Sequence, residues 1–319
     1  MIEVRDLRKT FPARGRQSTG PVEAVRGITL NVRQGEIFGL LGPNGAGKTT
    51  TMRMLCTLLT PSGGSASIAG HDLLTQQAHV RRAIGYVSQA GGMERECSGR
   101  ENLLLQARLY GMSRSAAAGR VSHLIRVLQA DGFADRRTGT YSGGQRRIFD
   151  LASGIVHEPR LLFLDEPSTG LDPQNRAHVW EHVKKLHAAG VTIFLSTHYL
   201  EEADALCNRV AIVDHGGIVA LGSPDELKRR IAGDVVSIGL ADAAAVRRAK
   251  SAFDSNTAVK ELAAEEATLH LTVEKGEENL AMLIATLNQG GFLINSVRLS
   301  RISLDDVFLS LTGRTLRHE

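Results

Sequence analysis

Short apolar runs of strand length punctuate this 319-residue chain at residues 37–41, 83–87, 161–164, 191–195 and 210–213. Continuous apolar runs bounded by turn residues read as strands buried on both faces. Ile2, Val4 and Leu7 open another strand, and residues 22–32 continue in mixed apolar and polar positions with Gly27 as a break. Helical patterns lie between the runs, from the loop after Leu41 to about Leu59, at 173–188 and at 200–207. Strand and helix in alternation predict an α/β fold with a mainly parallel sheet covered by helices.

Two stretches depart from this rhythm. Between about Glu94 and Gly139, Leu103, Leu104, Ala107, Leu109 and Tyr110 have helical spacing, as do Val121, Leu124, Ile125 and Leu128. They predict a helical subdomain of about residues 94–158. Past residues 222–227 the pattern becomes strand 235–240, helix 242–253, strands 258–262 and 268–273, helix 277–288 and strand 292–299. That β-α-β-β-α-β order fits a small α+β unit of ferredoxin-like type. A short helix at 304–311 follows, with Ser303 as its N-cap. The expected division is therefore a nucleotide-binding domain at 1–228 and an accessory domain at 233–319, with no internal repeat or low-complexity tract.

Composition adds bounds. Hydrophobic content of 42% and charged content of 23% are those of an ordinary globular protein. No stretch reaches the ~18–20 apolar residues that span a bilayer. Residues 1–6 lack a signal-peptide plan, so a cytosolic chain is expected. Cys56, Cys97 and Cys207 form no C-x-x-C pair and read as reduced thiols. A net charge of +4 permits a nucleic-acid or anionic-membrane contact without demanding one. The basic stretch 12–20 reads as a solvated insertion, with lipid-headgroup contact as the sharper alternative.

Three motifs carry chemistry. Gly42, Pro43, Asn44, Gly45, Ala46, Gly47, Lys48, Thr49 and Thr50 match G-x-x-x-x-G-K-[ST], set between a strand and a helix. The glycines let backbone N–H groups curl around phosphates, Lys48 reaches the β- and γ-phosphates, and the Thr49 hydroxyl ligates Mg²⁺. Residues 161–166 form an apolar strand ending in Asp165 and Glu166. Two carboxylates there are costly unless employed. Asp165 is expected to hold Mg²⁺ and Glu166 to activate water as general base. Ser142, Gly143, Gly144 and Gln145 precede a helix expected at 145–156, making a second anion-binding surface. Two such surfaces in one chain imply that one serves the nucleotide of another copy. His178 and His182, four apart on a helix, read as a solvated or packed pair, and Arg146–Arg147 as a solvated helix start.

With these motifs in this order, the chain resembles the ATP-binding-cassette (ABC) ATPases over roughly residues 1–225, and Ser142–Gln145 looks like their signature motif. The resemblance implies a P-loop NTPase fold with a parallel core, an antiparallel β part and a helical subdomain. It also implies ATP and Mg²⁺ as cofactors, and a head-to-tail homodimer with ATP between Lys48, Asp165, Glu166 and His198 of one copy and Ser142, Gly144 and Gln145 of the other. Gln89 resembles the Q-loop glutamine near Mg²⁺ or the water. Residues 169–172 resemble the D-loop, His198 the switch histidine, and Phe11 the aromatic that stacks on adenine.

Tyr141, residues 201–204 and the tail 302–313 are similar to the daunorubicin-resistance branch, bacterial ATPase subunits paired with a separate membrane permease. This implies an exporter subunit on the cytoplasmic face of the membrane, with the permease docking near Gln89 and the helical insertion and no nucleic-acid partner. Residues 90–97 are unusual beside that branch and leave the choice of partner open. The competing readings are a soluble ABC ATPase of DNA repair, chromosome organisation or translation, and an importer ATPase. About 90 residues separate Lys48 from Ser142, too few for a long coiled coil, and a single phosphate loop argues against a two-cassette chain. The transported substrate stays open.

Overall fold

The computed structural model describes residues 1–12, 20–229, 233–253, 258–300 and 303–312. Most of the basic stretch, residues 13–19, lies outside them, as do tail residues 302 and 313. The chain divides into two compact units, Met1–Ser223 and Pro224–Glu319.

The first unit opens with β1 (Ile2–Phe11), β2 (Val22–Val32), β3 (Ile37–Leu41), α1 (Lys48–Leu55), β4 (Gly63–Ile68), β5 (His71–Asp72), α2 (Gln77–Ala83) and β6 (Ile84–Val87). Three helices follow, α3 (Gly99–Leu109), α4 (Arg114–Val127) and α5 (Gly143–Ile155). The chain then alternates through β7 (Leu161–Asp165), α6 (Pro173–Ala188), β8 (Thr192–Thr197), α7 (Leu200–Leu206), β9 (Arg209–Asp214) and β10 (Gly217–Gly222).

Six strands form one sheet in the order β10-β9-β3-β8-β7-β6. All neighbours are parallel except the edge pair β10–β9. A second, antiparallel sheet runs β2-β1-β4-β5. Ile2, Leu7, Ile28, Phe38, Met52, Phe163 and Phe194, all essentially inaccessible, share one core between the sheets. Each such side chain contributes roughly 1.5–3 kcal/mol on burial. Strand order matters for function, because ligands of open α/β sheets sit outside the carboxyl ends of the strands. Here β3, β8, β7 and β6 are adjacent, and their ends deliver Gly42, His198, Asp165 and Gln89 to one place.

Helix α1 ends at Leu55, earlier than its apolar pattern suggests. Thr57 adopts a left-handed φ of 61° and Pro61 follows, so the chain turns away although Leu58 and Leu59 continue the period. Ser98 and Glu101 cap α3 reciprocally, and Ser113 caps α4. Helix α5 lies tight on β6, because a Cβ on Gly85 would strike the Gly154 carbonyl.

In the second unit, α8 (Pro224–Arg229) precedes β11 (Asp234–Leu240), α9 (Ala243–Lys250), β12 (Val259–Glu265), β13 (Thr268–Val273), α10 (Gly276–Gln289), β14 (Ile294–Ser300) and α11 (Leu304–Thr312). The sheet order β12-β13-β11-β14, antiparallel throughout, is that of a ferredoxin-like unit. Val236, Ile238, Val246, Leu269, Leu271, Leu283 and Leu287 form its core. Ser303 Oγ accepts the Asp306 N–H at 3.3 Å, the expected cap of α11.

Candidate active site

Gly47 makes the phosphate loop possible. Its φ of +99° is open to glycine, and a Cβ there would strike the Ala24 carbonyl. The loop therefore packs tightly against β2 as it enters α1, whose N-terminus is a setting that suits phosphate. Lys48, buried, donates to the carbonyls of Gly42 at 2.8 Å and Pro43 at 3.1 Å. Burial lowers its ammonium from the ordinary lysine value, and Glu166 opposes that fall.

The end of β7 supplies both acids. Asp165 Oδ1 accepts from the Thr49 hydroxyl at 3.2 Å and the Ser196 hydroxyl at 2.6 Å. Glu166 is the next residue and has a left-handed φ of 48°, a conformation rare outside glycine. That turn swings its carboxylate across the site. Lys48 Nζ lies 3.4 Å from Oε1, while Gln89 Nε2 at 3.2 Å and Thr169 Oγ1 at 3.1 Å donate to Oε2. His198 Nδ1 lies 3.3 Å from Oε2 without good hydrogen-bond alignment.

The His198 ring, against the opposing effect of burial and with help from Lys48 and Thr169, holds the Glu166 carboxyl down to about 2, from an ordinary 4.5. The folded value lies below the unfolded one. The carboxylate thus stabilises the fold above pH 4.5, and the contribution is lost as pH falls toward 2. Denaturant titrations as far into that window as the fold survives are expected to show the wild type losing more stability than Glu166→Gln. Equal losses would remove the proposed pairing.

Ser142 caps α5, accepting the Gln145 N–H at 3.2 Å while Gln145 Oε1 accepts the Ser142 N–H at 3.2 Å. The helix so begins at Gly143, two residues before the expected start, because the serine rather than the glutamine ends the loop. Ser142 and Gly143 are exposed, and Gly144 is buried where a Cβ would strike Asn175 Oδ1 of α6. Asp172, at the end of the D-loop-like turn, caps α6 through the Asn175 N–H at 2.9 Å. Phe11 ends β1 with its ring exposed and Lys9 Nζ 5.2 Å from the ring centre. His182 is buried and His178 exposed.

One expectation fails. Arg147 is not a solvated residue at the helix start. It is only 6% exposed, and its guanidinium is spent on backbone carbonyls. The first turn of α5 winds it inward, onto the face that also buries Gly144, Asp150 and Leu151. Three further contacts with the acids, from Ser196, Thr169 and Arg147, are not given by the motifs. Thr169 lies in the D-loop-like stretch, which does not announce its bond to Glu166, and Ser196 left a trace as a polar residue near the end of an apolar strand two positions before His198. Trp180 Nε1, on α6, donates at 2.9 Å to the fully buried Glu202 of α7. Burial pushes that carboxyl above its ordinary value. Among the described residues no helix is long and apolar enough to cross a membrane.

The sequence and the fold are matched by relatives. Residues 25–169 match the family described as ABC transporter. An ATP-binding cassette solved as a dimer in a post-hydrolysis state with ADP and phosphate has the same fold, with a TM-score of 0.63 at 23% identity over 70% of this chain and 98% of that one. The chain belongs to the ATP-binding proteins of the ABC transporter family and is an ATPase of that class. Residues 222–312 match the family of ATP-binding protein DrrA1-3-like C-terminal domains. The daunorubicin/doxorubicin resistance ATP-binding protein DrrA of Streptomyces peucetius is 40% identical over 95% of this chain and 94% of its own length. The Nod factor export ATP-binding protein I of Burkholderia orbicola is 38% identical over 99% and 98%. Within the ABC family, then, the chain falls in the branch of the daunorubicin/doxorubicin resistance ATP-binding proteins.

Proposed function

We propose that the chain works as a homodimer on the cytoplasmic face of a bacterial membrane, hydrolysing ATP to drive a separate permease that exports a drug, antibiotic or secondary metabolite. The observation that carries the catalytic reading is the convergence of Lys48, Gln89, Thr169 and His198 on one carboxylate, Glu166. Phosphoryl transfer to water requires mainly positioning and charge compensation. In this reading Glu166 accepts the proton of the attacking water, and His198 donates to the γ-phosphate. The residues of the loop, Gly42 to Thr50, cradle the phosphates, with Lys48 as their cation, and Phe11 meets the adenine.

The Thr49 hydroxyl, the Asp165 carboxylate and the Gln89 amide oxygen are a hard oxygen donor set that fits Mg²⁺. Such an ion would neutralise charge on the phosphates. The dimer reading rests on Ser142 and Gln145, which bond each other and leave the start of α5 exposed, as a site completed by a second copy's nucleotide requires. Permease docking is supported by a groove of about 480 Å³ lined by Leu58, Arg81, Arg82, Tyr86 and Tyr110, of which Tyr86 lies on β6, the strand that leads into Gln89. The names of the relatives support an exported antibiotic or metabolite.

Co-expression with a six-span permease encoded beside this chain tests the reading. The expected result is a membrane-bound complex that survives purification and whose ATPase rate responds to candidate substrates. A chain that stays out of the membrane fraction, with an ATPase rate raised by DNA or ribosomes instead, would overturn it.

A further inference from the structure

Among the described residues, the buried lysine and arginine side chains are Lys48 and Arg147. The phosphate loop accounts for Lys48. Nothing in the reaction scheme above uses Arg147, yet burying a guanidinium is expensive unless its donors are matched. Its matches are specific. Nη1 donates to Ser88 O at 2.8 Å and Nε to Pro167 O at 2.7 Å. Nη2 donates to Asp165 O at 3.2 Å and Glu166 O at 3.3 Å. One planar group therefore ties the residue before Gln89 to Glu166 and the residues on either side of it. Its own helix is the one that Ser142 begins.

A second contact strengthens the tie. Asp150, one turn further along α5 and 4.0 Å from Arg147 Nη1, is the buried countercharge, and its Oδ1 accepts the Gly92 N–H at 3.4 Å. The segment 88–92 is so pinned to α5 at both ends. Between the pins, Gln89 sends its amide to Glu166 Oε2. The carboxylate sits in a left-handed turn whose carbonyls are the ones Arg147 holds.

We propose that Arg147 is a positioning residue for hydrolysis. Through the carbonyls of Ser88 and of Asp165, Glu166 and Pro167 it fixes the Gln89 loop and the Glu166 turn in one register, so that a shift of residues 88–92 is delivered to the carboxylate. The inference rests on the reading of Glu166 as general base. Lysine cannot replace arginine here, because a single ammonium lacks the fork that spans two segments. A displacement of the base by about 1 Å lowers turnover by up to about 10²-fold.

The test is a double-mutant cycle of Arg147→Lys with Gln89→Ala in the purified chain, with rates normalised to ATP-binding sites. Arg147→Lys is expected to lower kcat about tenfold or more and to keep KM for ATP within about twofold, the pattern of an interaction made in the transition state. Combined with Gln89→Ala, it is expected to cost no more than the larger single change, because both act on the same carboxylate. A wild-type kcat, a loss confined to KM, or multiplying losses in the double variant would each overturn the proposal, since a merely structural arginine gives additive effects. Should Arg147→Lys fail to fold, the cycle is run with Asp150→Asn, which removes the countercharge and weakens the Gly92 pin. An unchanged kcat there overturns the proposal equally. If Glu166→Gln alone keeps full turnover, the general-base reading fails first, and the two failures are told apart.

Discussion

Glu166→Gln is expected to retain ATP binding and to lose hydrolysis by about 10²–10⁴-fold, the usual contribution of a positioned general base. The substitution is nearly isosteric, so the left-handed turn at this residue and its backbone bond to Ser196 O at 3.1 Å can persist. What disappears is the basic oxygen and its negative charge beside Lys48. That charge opposes phosphate binding, so ATP affinity should hold or rise while turnover falls. Equilibrium binding of a fluorescent ATP analogue and single-turnover phosphate release measure the two effects separately. A variant that binds ATP and hydrolyses it at the wild-type rate would show that the water finds its base elsewhere.

Ser142→Arg is expected to abolish ATP-driven dimerisation and to spare ATP binding by the single chain. The serine is exposed, and its polar contacts are the reciprocal bonds with Gln145. Losing the cap costs about 1 kcal/mol, against roughly 5–15 kcal/mol for a folded domain. The fold therefore survives, and the Lys48 site lies on other elements. The long side chain instead covers the exposed N–H groups at the start of α5, where a second copy's phosphates would bind. Light scattering with ATP, in a Glu166→Gln background that slows reopening, is the measurement. An ATP-dependent dimer of unchanged strength would remove the shared site.

Much of this architecture was legible in the sequence because its signals are local. A phosphate loop needs glycine at set positions whatever surrounds it, so residues 42–50 carry their own meaning. The ferredoxin-like order could be read because each strand and helix of residues 234–300 shows its period within a few residues. The arrangement around Glu166 is different in kind. Thr169 and Gln89 reach its carboxylate from the same short turn and from 77 residues away respectively, and only strand order brings the second one close. Arg147 misled for the same reason. Next to Arg146 it looks like surface charge, and its burial depends on carbonyls that α5 meets only after the sheet has formed. The start of α5 is obscured in the sequence because glycines resemble loop, whereas the serine before them caps a helix that begins with them.

The Trp180–Glu202 hydrogen bond has a practical consequence. The chain contains a single tryptophan, and its indole is bonded across the two helices that begin just after the D-loop turn and just after His198. Indole emission is sensitive to a nearby carboxylate and to water. The protein thus carries its own optical probe, and a rearrangement of α6 against α7 on addition of nucleotide would be read from its emission without attaching a dye.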